Sequence, residues 1–273
     1  MKVALVDNGS LEPAAHECLR ATALALGERA GTRVEAVSWK HSDRIEPGAL
    51  GGVPAWTLAP WIGRQVSAGE REFLFVPFFI SPQGSIGSAL RGDLERLRGE
   101  LGGFDYAFTD GLSAEVDLPG IVAARVREAA ASGGLRMPAV IVVDHGGPSR
   151  ASAGVRDQVA ELARALLKGE VRSLQPASME SPGGPQFDFN RPLLADVLAA
   201  PGFDSGDVLV APLFLSPGRH AGPGGDLFRI ADAARARAPL LRCHFTKLVG
   251  SHPVALEALA GALARALRAE ARR

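Results

Sequence analysis

The sequence predicts an α/β fold made of two similar domains, each a mostly parallel four-stranded sheet flanked by helices. Three observations predict it. Short apolar runs alternate with amphipathic helical stretches along the whole chain, the pattern of a parallel sheet whose crossovers are helices. One stretch occurs twice: Val76-Pro-Phe-Phe-Ile-Ser-Pro-Gln-Gly-Ser85 and Val210-Ala-Pro-Leu-Phe-Leu-Ser-Pro-Gly-Arg-His220 superimpose at an offset of 135 residues, with Pro77 on Pro212, Phe79 on Phe214 and Ser81 on Ser216. A second pair, Ala107-Phe-Thr109 and His244-Phe-Thr246, repeats at an offset of 137. The chain therefore reads as one unit duplicated, over residues 1–133 and 138–273.

In order, residues 2–7 form a short apolar run of the fully buried strand type, ending at Asn8-Gly9-Ser10. A helical pattern covers about 13–30, a second strand 33–39, and a Gly/Pro-rich stretch leads to a helix near 61–68. Residues 73–80 are apolar on both faces, as a central strand covered by helices on both sides requires. A helix at about 88–100, a strand at 105–109 and a helix at 118–131 close the first copy. Ser132-Gly-Gly-Leu-Arg-Met-Pro138 is the linker, because Gly134 ends a helix and Pro138 starts an extended segment. The pattern then restarts: strands at 139–144, 171–177, 207–215 and 240–247, helices at about 151–167, 191–199, 225–236 and 254–269.

Composition narrows the function classes. Thirty basic residues balance thirty acidic ones, so no net field draws the protein to nucleic acid or to an anionic membrane. Two cysteines, Cys18 and Cys243, lie in different halves without partners at metal-ligand spacing, which argues against a disulfide scaffold or a thiolate zinc site. No leader or membrane-spanning run is evident, and a cytoplasmic location is expected.

Ligands of parallel α/β sheets bind beyond the carboxyl ends of the strands, so the residues leaving each strand are the ones to compare. After the first strand of each copy, Asp7-Asn8-Gly9 matches Asp144-His145-Gly146. After the second, Ser38-Trp39-Lys40 matches Ser178-Met179-Glu180; after the third, Ser85 matches His220. The second copy thus presents His145, Glu180 and His220 where the first presents Asn8, Lys40 and Ser85. Two imidazoles and a carboxylate suit a borderline divalent ion such as Co²⁺, Fe²⁺, Ni²⁺ or Zn²⁺, and three protein ligands leave a position open for exchange. A lysine ammonium repels such an ion, so the first copy is not a metal site. His16, His41, His244 and His252 have no matched partner and read as structural or surface residues. His145-Gly146-Gly147 is also compatible with an esterase oxyanion loop, but no serine stands in a nucleophile elbow. Gly222-Pro-Gly-Gly225 shapes the turn before a helix better than it cradles a phosphate.

The strand ending in Asp144-His145-Gly146, with Leu213-Phe-Leu-Ser-Pro-Gly-Arg-His220 and Gly225-Asp-Leu-Phe-Arg-Ile230, resembles the class II tetrapyrrole chelatases, specifically the sirohydrochlorin cobalto- and ferrochelatases of cobalamin and sirohaem biosynthesis. The resemblance covers the whole chain and implies two chelatase-like domains with the active site in the cleft between them. It implies that His145 and His220 bind the incoming metal and take protons from the pyrrole nitrogens, with Glu180 as ligand or base. Where the family usually has serine after His-Gly, this chain has Gly147. The macrocycle's carboxylates call for cations, and Arg219, Arg150, Arg191 and Lys247 are placed for that role, with Asn8 and Ser85 lining the opposite wall. No cofactor beyond the substrate metal (Co²⁺, Fe²⁺ or Ni²⁺) is expected. The expected partners are a small tetrapyrrole and the metal, with neither nucleic acid nor membrane, and the duplication is compatible with a monomer. The rival reading is a protein that binds and delivers metal or tetrapyrrole without turnover.

Overall fold

The computed structural model describes residues 1–80, 85–112 and 116–270, with 85–87 described as backbone only. The chain divides into two compact units. The first comprises Met1–Val116, Ser216–Arg219 and Pro253–Arg273, the second Asp117–Leu215 and His220–His252.

The first unit holds β1 (Lys2–Asp7), β2 (Val34–Ser38), β3 (Trp56–Thr57), β4 (Glu72–Pro77) and β5 (Asp105–Phe108) in one parallel sheet of order β3-β2-β1-β4-β5. This sheet has five strands where the sequence predicts four. The addition is β3, two residues of the Gly/Pro-rich stretch that pair with Val37 and Ser38 along the open edge of β2. Two residues are too few to show a period of two. Helices α1 (Pro13–Ala30), α2 (Leu58–Ser67) and α3 (Ser85–Glu100) follow the strands. Proline at the first turn starts α1, and Gly31 at φ 63° ends it. The central strands β1 and β4 are apolar and buried over Val3–Val6 and Phe73–Val76, because both faces are covered there. Trp61 of α2 stands edge-on to Phe73, with ring centroids 5.6 Å apart, in a core that includes Val6, Phe75, Leu94 and Phe104.

The second unit holds β6 (Ala139–Asp144), β7 (Ser173–Ser178), β8 (Gly206–Pro212) and β9 (Leu241–Phe245), parallel throughout and ordered β7-β6-β8-β9. Its helices are α4 (Leu118–Gly133), α5 (Arg150–Leu166), the short α6 (Leu194–Val197) and α7 (Asp226–Arg237). Asp117 caps α4 by accepting from Gly120 N at 2.9 Å, and Ser149 caps α5 by accepting from Ser152 N at 3.2 Å. The helix expected over 191–199 shrinks to four residues between Pro192 and Pro201, because proline breaks a helix at and before its own position.

The sequence repeat and the packing units part company at the helices that close each repeat. Helix α4 belongs by sequence to the first copy, yet it packs on α5 and β8 in the second unit. Helix α8 (Pro253–Glu270) ends the second copy and packs on α1 in the first unit. Buried Arg125 of α4 reaches Ser251 Oγ at 3.0 Å within the second unit. A repeat records the order of the chain, and helix docking follows the apolar faces. Among the described residues no helix is long and apolar enough to cross a membrane.

Candidate metal centre

The site is built on the carboxyl ends of β6, β7 and β8. The ladder between β6 and β7 runs past the strands: Met179 N donates to Asp144 O at 2.8 Å, and Glu180 N to His145 O at 3.1 Å. His145 and Glu180 are therefore backbone neighbours, and their side chains come within 3.6 Å, His145 Nε2 to Glu180 Oε1. Gly146 makes the approach possible. It sits at φ 82°, and a Cβ there would lie 1.9 Å from the Glu180 carbonyl oxygen.

The first unit repeats this mount with other side chains. Trp39 N donates to Asp7 O at 2.7 Å and Lys40 N to Asn8 O at 3.2 Å; Gly9, at φ 88°, would bring a Cβ to 1.7 Å from Lys40 O. Asn8 is thus the structural counterpart of His145, and Lys40 of Glu180, as the sequence register predicts. Lys40 Nζ lies 3.6 Å from Asp93 and 3.9 Å from the centre of the Trp39 ring, so this mount carries an ion pair. The side chain of Ser85 lies outside the described residues, as do Ser81 and Pro82.

In the second unit the loop after β8 brings His220 to His145, Nε2 to Nε2 at 3.3 Å, with the rings nearly perpendicular. The outer nitrogens fix the tautomers. His145 Nδ1 lies 2.8 Å from Gly146 O, and a carbonyl can only accept, so Nδ1 carries the proton. His220 Nδ1 lies 2.6 Å from Asp226 Oδ2 and donates to that carboxylate. Both Nε2 lone pairs therefore face each other, an arrangement that calls for a cation between them. An ion about 2.1 Å from both nitrogens would subtend about 104°, close to tetrahedral. Among the described residues no three His, Cys, Asp or Glu side chains are already gathered into a metal cage. Both short contacts in the set run through His145.

Beneath His145 lies a polar network of one guanidinium. Arg156, fully buried, donates to Ser178 Oγ, to Phe189 O at 3.0 Å and to Asn190 O at 3.5 Å, and lies 3.6 Å from the Asp144 carboxylate. Ser178 Oγ in turn donates to Asp144 at 2.6 Å. Burial raises the Asp144 carboxyl above its ordinary range, opposed by Ser178 and Arg156. Asn190 clamps Gly147 through both amide atoms, accepting from its N at 3.0 Å and donating to its O at 2.9 Å.

The sequence-predicted residues sort as follows. His145, His220 and Glu180 come together in the second unit. Arg219 precedes His220 on the same loop and is exposed. Arg150 stacks its guanidinium 4.8 Å from the Phe189 ring, and Arg191 is paired with Asp188 and Asp196. Asn8 is exposed at the end of β1 in the first unit. Four residues were missed: Asp226, Arg229, Arg156 and Asn190. Asp226 and Arg229 line a cavity of about 410 Å³ with Met179, Glu180, Ile230 and Ala233. Asp226 had a signal, being an acid six residues after His220 across a glycine turn. Arg156 had one too, as a cation on the apolar stripe of α5 with Ala153, Val159, Ala160 and Ala163.

A family model described as CbiX matches residues 139–266, which contain His145, Glu180 and His220. Two solved structures of SirB from Bacillus subtilis, one with Fe³⁺ and one, from subspecies spizizenii, in complex with cobalt, match at TM-scores of 0.66 and 0.68. Each covers 100% of this chain and 98% of its own, at 15% and 13% identity respectively. CbiX, described as the terminal enzyme for biosynthesis of sirohaem in denitrifying bacteria, matches at a TM-score of 0.64 and 19% identity, over 97% of this chain and 99% of its own. No curated protein sequence matches the chain significantly. The CbiX model thus matches a little under half of the chain, and the chain as a whole has the fold of these SirB and CbiX structures.

Proposed function

We propose that this protein is a metal chelatase, a lyase that inserts Co²⁺ or Fe²⁺ into sirohydrochlorin or a close relative. The observation that carries this reading is the pair of opposed Nε2 lone pairs, each held in place by a fixed Nδ1 hydrogen bond. Insertion of a divalent ion expels two pyrrole protons, so the reaction needs a metal site and two neutral bases in one place. The two imidazoles serve both needs in turn. They hold the ion while the macrocycle approaches, and as it leaves they accept the two protons on the nitrogens it vacates. Each imidazolium then has a carboxylate beside it: Asp226 at 2.6 Å from His220, and Glu180 at 3.6 Å from His145. Arg219 and Arg150 are our candidates for the macrocycle's carboxylates, with Asn8 and Ser85 as neutral contacts. The cobalt and iron held by the SirB structures support this choice of metals.

The test is metal insertion followed by the change in tetrapyrrole absorbance, with wild type and His145→Ala side by side. The expected result is steady turnover by the wild type and its loss in the variant. Tight binding of metal and macrocycle without turnover would convert the assignment into that of a delivery protein, and unimpaired insertion by the variant would remove His145 from the site.

A further inference from the structure

We propose that Asp226 and Arg229 act as a positioning pair that sets which nitrogen of His220 carries the proton, and so keeps Nε2 open for a divalent metal. Asp226 is the first residue of α7, with Gly225 as its N-cap. The intervening turn closes through Gly225 N to Gly222 O at 2.9 Å and Leu227 N to His220 O at 3.1 Å, which brings the carboxylate back over the imidazole. Its two oxygens have different partners. Oδ2 accepts from His220 Nδ1 at 2.6 Å, and Oδ1 forms an ion pair with Arg229 Nη2 at 2.8 Å.

A carboxylate can accept on both sides at once, and that symmetry is what the arrangement uses. An asparagine cannot. In Asp226→Asn the amide oxygen is drawn to the Arg229 guanidinium, which only donates, leaving the NH₂ group facing His220 Nδ1. The NH₂ group can only donate, so Nδ1 must become the acceptor and the ring proton moves to Nε2. That Nε2–H then points at the lone pair of His145 Nε2, 3.3 Å away. The two imidazoles form a neutral hydrogen bond and close the space that a metal would fill. An isosteric change outside the proposed ligand set is therefore worse than deletion. Asp226→Ala leaves His220 free to sample both tautomers, and Asp226→Asn locks the wrong one. Arg229→Ala on the Asp226→Asn background frees the amide to turn its oxygen back to Nδ1.

The consequence for chelation rests on the function proposed above, whereas the tautomer does not. The experiment therefore has two arms on the full chain: ¹⁵N NMR of the histidine rings without metal, and titration with Co²⁺ alone, read from its visible absorption. His220→Gln identifies the His220 signals. Expected are Nδ1–H in the wild type, Nε2–H in Asp226→Asn, and return toward Nδ1–H in Asp226→Asn/Arg229→Ala. Co²⁺ affinity should fall about 10-fold to 100-fold in Asp226→Ala, further in Asp226→Asn, and recover in the double variant to at least the Asp226→Ala level. An Asp226→Asn protein that keeps Nδ1–H on His220, or binds Co²⁺ within twofold of wild type, overturns the proposal. The expected tautomers with no Co²⁺ bound by the wild type would sink the metal-site reading and leave the positioning role intact.

Discussion

Replacing Gly146 by alanine tests how the site is mounted. The added Cβ would lie 1.9 Å from the Glu180 carbonyl oxygen, and ordinary contact begins at 3.4 Å, so the two loops must part by about 1.5 Å. That movement strains the bonds from Glu180 N to His145 O and from Met179 N to Asp144 O, each contributing about 1 kcal/mol net. The left-handed backbone at φ 82° costs an alanine a further ~1–2 kcal/mol. Together these predict a loss of about 3–4 kcal/mol in unfolding free energy by urea titration. The same displacement withdraws Glu180 from its 3.6 Å approach to His145, and misplacement by about 1 Å costs ~100-fold in a reacting geometry. Gly9→Ala is the control, since its Cβ meets Lys40 O at 1.7 Å in the mount without histidines. Both variants should lose similar stability, and only Gly146→Ala should lose Co²⁺ affinity. Full Co²⁺ affinity in Gly146→Ala, or an equal loss in Gly9→Ala, would refute the reasoning.

Two other perturbations probe the polar clusters below the strand ends. Arg156→Met leaves the Asp144 carboxylate without its buried cation and the carbonyls of Phe189 and Asn190 without their buried donor, and should cost ~3–5 kcal/mol in a urea titration; a loss under about 1 kcal/mol would show that the network is not coupled. Asp7→Asn addresses the equivalent position in the first unit, where burial raises the carboxyl from 3.8 to about 6 and Oδ1 has no hydrogen-bond partner. The folded state there binds its proton more tightly than the unfolded one, so the wild type loses stability as pH rises from about 4 to 6 and has lost it fully above 6. The variant should therefore be more stable than wild type at pH 7, by no more than about 3 kcal/mol, and the gain should vanish below pH 4. A gain that is the same at pH 4 and pH 7 would contradict the assignment.

Much of this architecture was legible in the sequence because the relevant signals repeat. The apolar runs at 2–7, 73–80, 139–144 and 207–215 became β1, β4, β6 and β8, the central strands, which are buried on both faces and so carry the strongest pattern. The register of Lys40 on Glu180 was legible because two residues leave each strand before the chain turns, and the extended ladder preserves that spacing in both copies. What the sequence hid were relations set by packing. Strand β3 was invisible because a two-residue edge pairing has no period. The exchange of closing helices was invisible because α4 and α8 follow their own repeats in the chain, while their docking depends on surfaces distant in sequence. Asn190 escaped because a 3₁₀ turn (Pro185–Asn190) brings its amide to Gly147; Asp226 escaped because a capping acid on a helix and a histidine's partner look alike until the turn is closed.

The paired glycines carry a consequence for how such a centre is reshaped over time. At Gly9 and at Gly146 the backbone makes the same close crossing, whether the side chains it displays are an amide and an ammonium or an imidazole and a carboxylate. The bracket is indifferent to what is bolted to it. One copy can thus exchange its chemistry for an ion pair while keeping its fold, and the other can vary its ligands without redesigning the sheet. Inheritance of the scaffold and inheritance of the reaction are, in this chain, separate matters decided at different atoms.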